Sequence, residues 1–169
     1  MTLDLREIIG IPGTRLAFDY APDLGKFTGG AFLSVTGTPR AYGHVRNDAG
    51  ALSLTAHVDA ELNAVCARCM KEFMYVIGRD VYAALTESES AIDDPELYYI
   101  AGAGVDLDGI IVTELLLDSE LNPLCADDCR GLCEMCGADL NEGGCECSYD
   151  ADPRLAALAQ LLGEPEDET

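Results

Sequence analysis

ALSLTAHVDAELNAV, residues 51–65, is the stretch whose reading decides the fold. Leu52, Leu54, Ala56, Val58, Ala60 and Leu62 alternate with Ser53, Thr55, His57, Asp59, Glu61 and Asn63. A period of two sends the two sets to opposite sides of a β-strand, so the sheet buries one face and wets the other. Upstream, Arg40–Val45 and the turn Asn47-Asp48-Ala49-Gly50 complete a hairpin. Downstream, Phe73, Tyr75, Ile77, Val81 and Leu85 keep one phase and predict a third arm over residues 73–85.

Outward from this core the signals shorten. Leu3–Gly13 is an apolar segment closed by the turn Ile11-Pro12-Gly13. Leu16, Phe18 and Tyr20 alternate with Arg15, Ala17 and Asp19 as in a half-buried strand. Residues 21–30, rich in Pro, Gly and Asp, read as a loop, and Phe32–Gly37 and Tyr98–Ile100 read as short strands. Thr86–Glu96 reads as an acidic link. Asp106 or Asp108 can cap a helix running through Glu120, with Leu107, Ile110, Ile111 and Leu115 on one face, before Asn122-Pro123 stops it. Asp152 as N-cap, Pro153 at the first helical position, the inward leucines 155, 158 and 162, and Gly163 define a second helix ahead of a charged tail. The fold class is therefore α+β: an antiparallel β-sheet or partly closed barrel, two short helices and a cysteine-rich zinc-binding segment. Residues 1–122 form the mainly β core domain, 123–150 the metal-binding segment, and 151–169 the C-terminal helix and acidic tail.

The cysteines carry the chemistry. Cys66-Ala-Arg-Cys69 falls at the turn between two strands, and Cys125, Cys129, Cys133, Cys136, Cys145 and Cys147 crowd together later. Eight thiols with two C-x-x-C turns follow the ligand spacing of tetrahedral zinc sites, one turn aiming two sulfurs at one ion and a second pair closing the tetrahedron. Two ions with four cysteine ligands each leave no position for water, so the sites read as structural. Disulfides would need an oxidising compartment, and MTLDLREIIG lacks the basic and apolar regions of an export signal. A thioredoxin-type pair opens a helix after a strand, whereas Cys66 and Cys69 lie between strands. Iron also takes four thiolates, but the spacings from Cys125 to Cys147 do not match ferredoxin runs, which favours zinc. Spacing alone allows the two C-x-x-C turns to share one ion or each to take another pair.

At 169 residues, with 49% of them hydrophobic and a mean hydropathy of +0.09, the chain should be globular. No apolar run approaches the length of a membrane span. The formal charge is -21, and two tetrathiolate zinc centres would bring it to about -25. Residues 1–85 hold eight Lys and Arg against nine Asp and Glu, and residues 86–169 two against 22. The acidic half repels phosphate backbones and attracts basic proteins, so DNA is not expected as a partner.

No catalytic constellation emerges, and the chain does not read as an enzyme. His44 and His57 sit on strands as ordinary surface residues. Ser119 and Ser148 have no neighbouring base, and Gly29-Gly30 lacks the strand–loop–helix setting of a phosphate loop. Arg40, Arg46, Arg68, Lys71 and Arg79 belong to the central hairpins. If they share the wet face with Tyr42 and His44, they form a basic patch for phosphate contacts; otherwise they are ordinary strand-surface charge balanced by Asp59, Glu61 and Asp80.

The upstream C-x-R-C, the helix after Asp106 and the run Cys129-Arg-Gly131-Leu132-Cys133-Glu-Met-Cys136-Gly137-Ala-Asp-Leu140-Asn141, followed by Cys145-Glu-Cys147, together resemble the YceD-like family of large ribosomal RNA subunit accumulation proteins. The motif order extends from about Arg40 to Leu162. The resemblance implies a cytoplasmic or plastid protein needed for accumulation of large-subunit ribosomal RNA. It also implies that Cys66, Cys69, Cys125 and Cys129 form one site and Cys133, Cys136, Cys145 and Cys147 a locally closed second one. Two functions fit: a non-enzymatic assembly factor whose acidic half binds a basic ribosomal protein or another assembly factor, or a ribosomal-RNA-binding module using the basic sheet face. A redox- or metal-responsive regulator is a third.

Overall fold

The computed structural model describes residues 1–88, 94, 96–100, 102–118 and 122–147. Its compact units are Met1–Cys129 and a second beginning at Arg130.

In the first unit, β1 (Thr2–Asp4) pairs antiparallel with β7 (Gly104–Asp106). A five-stranded sheet runs in the order β2 (Arg15–Tyr20), β3 (Phe32–Asp48), β4 (Ala51–Val65), β5 (Glu72–Thr86) and β6 (Leu97–Tyr99). The sheet is open and does not close into a barrel, and it is mixed, because β6 joins β5 in parallel at Ala84–Thr86. The other neighbouring pairs are antiparallel, as the hairpin signals require. One helix, α1 (Leu107–Asp118), is present among the described residues; the expected helix from Asp152 lies outside them.

The β3–β4 turn is Ala49-Gly50, with φ of 53° and 99°. Two successive positive φ values give the turn whose twist matches the flanking strands. Asn47 secures it: its Oδ1 accepts from Gly50 N at 2.9 Å, and its buried Nδ2 donates to Ile8 O at 2.8 Å. Phe32–Gly37 is not a separate strand but the start of β3. Gly37, at φ 71°, with Thr38 and Pro39 makes a bulge where the register steps from Thr36↔Glu61 to Arg40↔Asp59. An added residue pair keeps the sheet continuous where the sequence reads as a break.

The alternation in β4 holds throughout: Leu52, Leu54, Ala56, Val58, Ala60, Leu62 and Ala64 are buried. They share one core with Ile77, Val81, Ala83 and Leu85 of β5 and with Leu107, Ile110, Ile111, Val112 and Leu115 of α1. Asp106 occupies the position before α1, its carboxylate close enough to Gly109 that a Cβ there would lie 2.7 Å from Oδ2. Asp108 accepts instead from the Tyr20 hydroxyl at 3.0 Å and Asp23 N at 3.2 Å, tying the helix to β2 and its following loop.

Candidate metal centres

β4 ends at Val65 and β5 begins at Glu72, leaving Cys66–Lys71 as the connecting knuckle. Cys66 N donates to Lys71 O at 2.9 Å, and Met70 N donates to Cys66 O at 3.0 Å. Met70 takes φ 60° to close the loop. Ala67 N donates to Pro123 O at 2.9 Å, and the Arg68 guanidinium donates to Cys129 O at 2.9 Å. These bonds hold the segment that follows α1 against the knuckle.

Four sulfurs therefore converge. Cys66, Cys69, Cys125 and Cys129 lie within 4.8 Å of one another, with Sγ–Sγ distances of 3.7 Å for Cys66–Cys129 and 3.6 Å for Cys69–Cys125. A disulfide needs about 2.05 Å. Tetrahedral thiolates bound at about 2.3 Å must stand about 3.8 Å apart, so the quartet fits a metal ion and not a pair of disulfides.

The second unit repeats the device. Cys133 N donates to Ala138 O and Gly137 N to Cys133 O, both at 2.8 Å, with Gly137 at φ 73°. Leu140 N donates to Gly131 O at 2.9 Å, and Asn141 Oδ1 accepts from Arg130 N at 2.7 Å. Cys133, Cys136, Cys145 and Cys147 also gather within 4.8 Å. The structure thus separates the eight cysteines into two quartets, the first long-range in sequence and the second local, where spacing alone left the two C-x-x-C turns free to share an ion.

The electrostatics within each quartet are uneven. Burial works against ionisation of Cys66, but amides of Cys69, Cys125 and Arg68 outweigh it and bring the thiol down to about 6. The amide of Cys136, the Cys145 thiol and the amide of Met135 do the same for Cys133, also to about 6. Gly137 directs its amide to a carbonyl, so the amides reaching sulfur come from the two residues before it. Bonding to Cys69 and burial push Cys125 up to about 12, and bonding to Cys136 and burial push Cys147 up to about 12. Four thiolates this close repel one another, and a divalent cation at their centre removes that penalty.

The five basic residues do not form one patch. Arg40 and Arg46 share the outer sheet face with Tyr42 and His44, in register with Asp59 and Ser53 of β4. Arg40 pairs with Asp19 through Nε–Oδ1 at 2.9 Å and lies 4.9 Å from the Tyr42 ring centre, while Arg46 pairs with Asp48 at 2.7 Å. Arg79 stands opposite Val58, in phase with Ile77 and Val81, on the other side of the sheet. Arg68 and Lys71 belong to the knuckle. Ser119 and Ser148 fall outside the described residues. His57 is held by Asp80 through Nδ1 at 2.7 Å and faces Asp59 at 3.3 Å.

An open β-sheet unit carrying one four-cysteine centre, followed in the chain by a second unit carrying another, defines a class of protein built on cysteine knuckles. The family model described as "Large ribosomal RNA subunit accumulation protein YceD" matches residues 54–162, and the chain belongs to that family. Similar relatives include uncharacterized protein Mb2951c of Mycobacterium bovis and uncharacterized protein Rv2926c of Mycobacterium tuberculosis. Each is 32% identical over 124 residues, covering 69% of this chain and 58% of the relative. The chain thus matches little more than half the length of these relatives. No solved structure matches. Among the described residues no helix is long and apolar enough to cross a membrane.

Proposed function

We propose that this protein is a cytoplasmic, non-enzymatic factor that supports accumulation of large-subunit ribosomal RNA by binding a basic ribosomal protein or assembly factor. The observation that carries this reading is the family match over residues 54–162, a span that includes both cysteine quartets. Zinc is the metal proposed for both sites, because closed four-thiolate sets hold it as a structural ion. The 22 Asp and Glu of residues 86–169, against two Lys and Arg, supply long-range attraction to a basic protein. The RNA-binding alternative is weaker: Arg40 and Arg46 are ion-paired and Arg79 lies on the opposite sheet face.

The test is the ratio of large- to small-subunit ribosomal RNA in cells depleted of the protein. A fall restored by the unaltered chain, but not by a Cys66→Ser variant, is expected. An unchanged ratio on depletion sinks the proposal.

A further inference from the structure

The outer face of β4 and β5 combines two properties that an ordinary wet sheet face keeps apart. Met74, Val76 and Tyr82 all point outward from β5, with exposures of 61%, 66% and 65%. Gly78 stands between Val76 and Asp80 in that row, so the row carries no side chain there, and the Asp59 carboxylate of β4 borders the space at 3.9 Å from where a Cβ would stand. Beside Val76 the Thr36–Arg40 bulge opens a notch of about 390 Å³, lined on β4 by Asp59, Ala60 and Glu61 and on β5 by Val76 and Ile77.

On β4 and β5 the side-chain charge of this face is acidic, while Arg40 of β3, in register with Asp59, is paired with Asp19. Asp59, Glu61, Glu72 and Asp80 occupy its outward register positions, and neither strand places a Lys or Arg there. His57 orients Asp80, and Asn63 orients Glu72 through a 2.9 Å hydrogen bond. Exposed apolar side chains rimmed by carboxylates complement a segment carrying both apolar and cationic side chains. A Lys or Arg suits the notch, its stem against Val76 and its charge between Asp59 and Glu61.

We infer that the outer face of β4 and β5 is a docking surface for a basic segment of a protein in which Lys or Arg alternates with apolar residues. The inference rests on the proposed basic partner and names where on the sheet that partner sits.

The probe is a soluble twelve-residue peptide alternating Lys and Val, titrated into isotopically labelled, metal-loaded full chain. Shift changes should centre on Met74, Val76 and Tyr82, and an analogue with Glu in place of Lys should bind at least tenfold more weakly. A Met74→Lys, Val76→Lys variant should lose at least tenfold. The milder Met74→Ser, Val76→Thr variant, which keeps the strand without adding charge, should lose several-fold. Both replace exposed residues, and retention of metal checks their fold. No binding by the unaltered chain, undiminished binding by both variants, or shifts confined to residues 86–147 overturns the docking surface. The ribosomal reading is judged separately by the RNA ratio in cells, so the two failures are distinguishable.

Discussion

Met70 and Gly137 hold the same place in the two knuckles. Each is the fourth residue after the first cysteine, each donates its amide to that cysteine's carbonyl, and their φ values are 60° and 73°. Only one is a glycine, yet both take the conformation that glycine adopts without strain. Met70 is exposed and makes the turn at a conformational cost.

Met70→Gly should therefore leave the first site intact and stabilise the fold by up to about 1 kcal/mol, the relieved strain being partly offset by a freer unfolded chain. Gly137→Val should weaken the second site by roughly 1–2 kcal/mol. Denaturant titration reads the first change, and the rate of metal loss to a chelator reads the second.

The two quartets differ in what they join. Cys66→Ser removes a link between the β4–β5 turn and residues about 60 positions later, so it should lower the stability of the whole sheet unit by about 3 kcal/mol or more. Cys145→Ser should release one metal ion and leave the sheet's melting temperature nearly unchanged. Equal loss of sheet structure in both variants, followed by circular dichroism, contradicts separable sites.

Gly43 is fixed by close approach. A Cβ at this position would lie 2.1 Å from Thr55 O and 2.7 Å from the Ala56 Cα, both backbone atoms that cannot move aside. Gly43→Ala should destabilise the protein by about 3 kcal/mol, measured by thermal or denaturant unfolding.

The two histidines should titrate on opposite sides of the ordinary value. Hydrogen bonding to Asp80 raises His57, so its contribution to stability is present below about pH 6.5 and fades as pH climbs through its folded value. Burial, with Arg15 and Arg46 nearby, lowers His44; its contribution is present above about pH 6.5 and fades as pH falls through its folded value. Proton NMR should resolve the two curves, and Asp80→Asn should bring His57 down alone.

The sheet was legible where one phase runs long. Leu52 through Leu62 announces β4, and Ile77, Val81 and Leu85 announce β5, because burial on one side forces the period. The same counting places Arg79 beside Ile77 and Val81, a signal that grouping charges by strand overlooks. It also places Met74, Val76 and Tyr82 outward, against their chemistry, and so points to the exposed face. What stayed hidden was set by tertiary contact. Thr2–Asp4 and Gly104–Asp106 are too short for periodicity and pair across the chain. Gly37, Thr38 and Pro39 read locally as a break, though the strand continues past them as a bulge. Met70 has no sequence preference for positive φ, and only the knuckle's closure imposes it.

The cysteine quartets are most directly tested by native mass spectrometry of the full chain purified without reductant or added metal. The expected mass includes two zinc ions and eight cysteines free of disulfides, with both ions lost on acidification. A metal-free mass lowered by eight hydrogens, the signature of four disulfides, would contradict the paired thiolate centres, and a mass containing iron would contradict zinc.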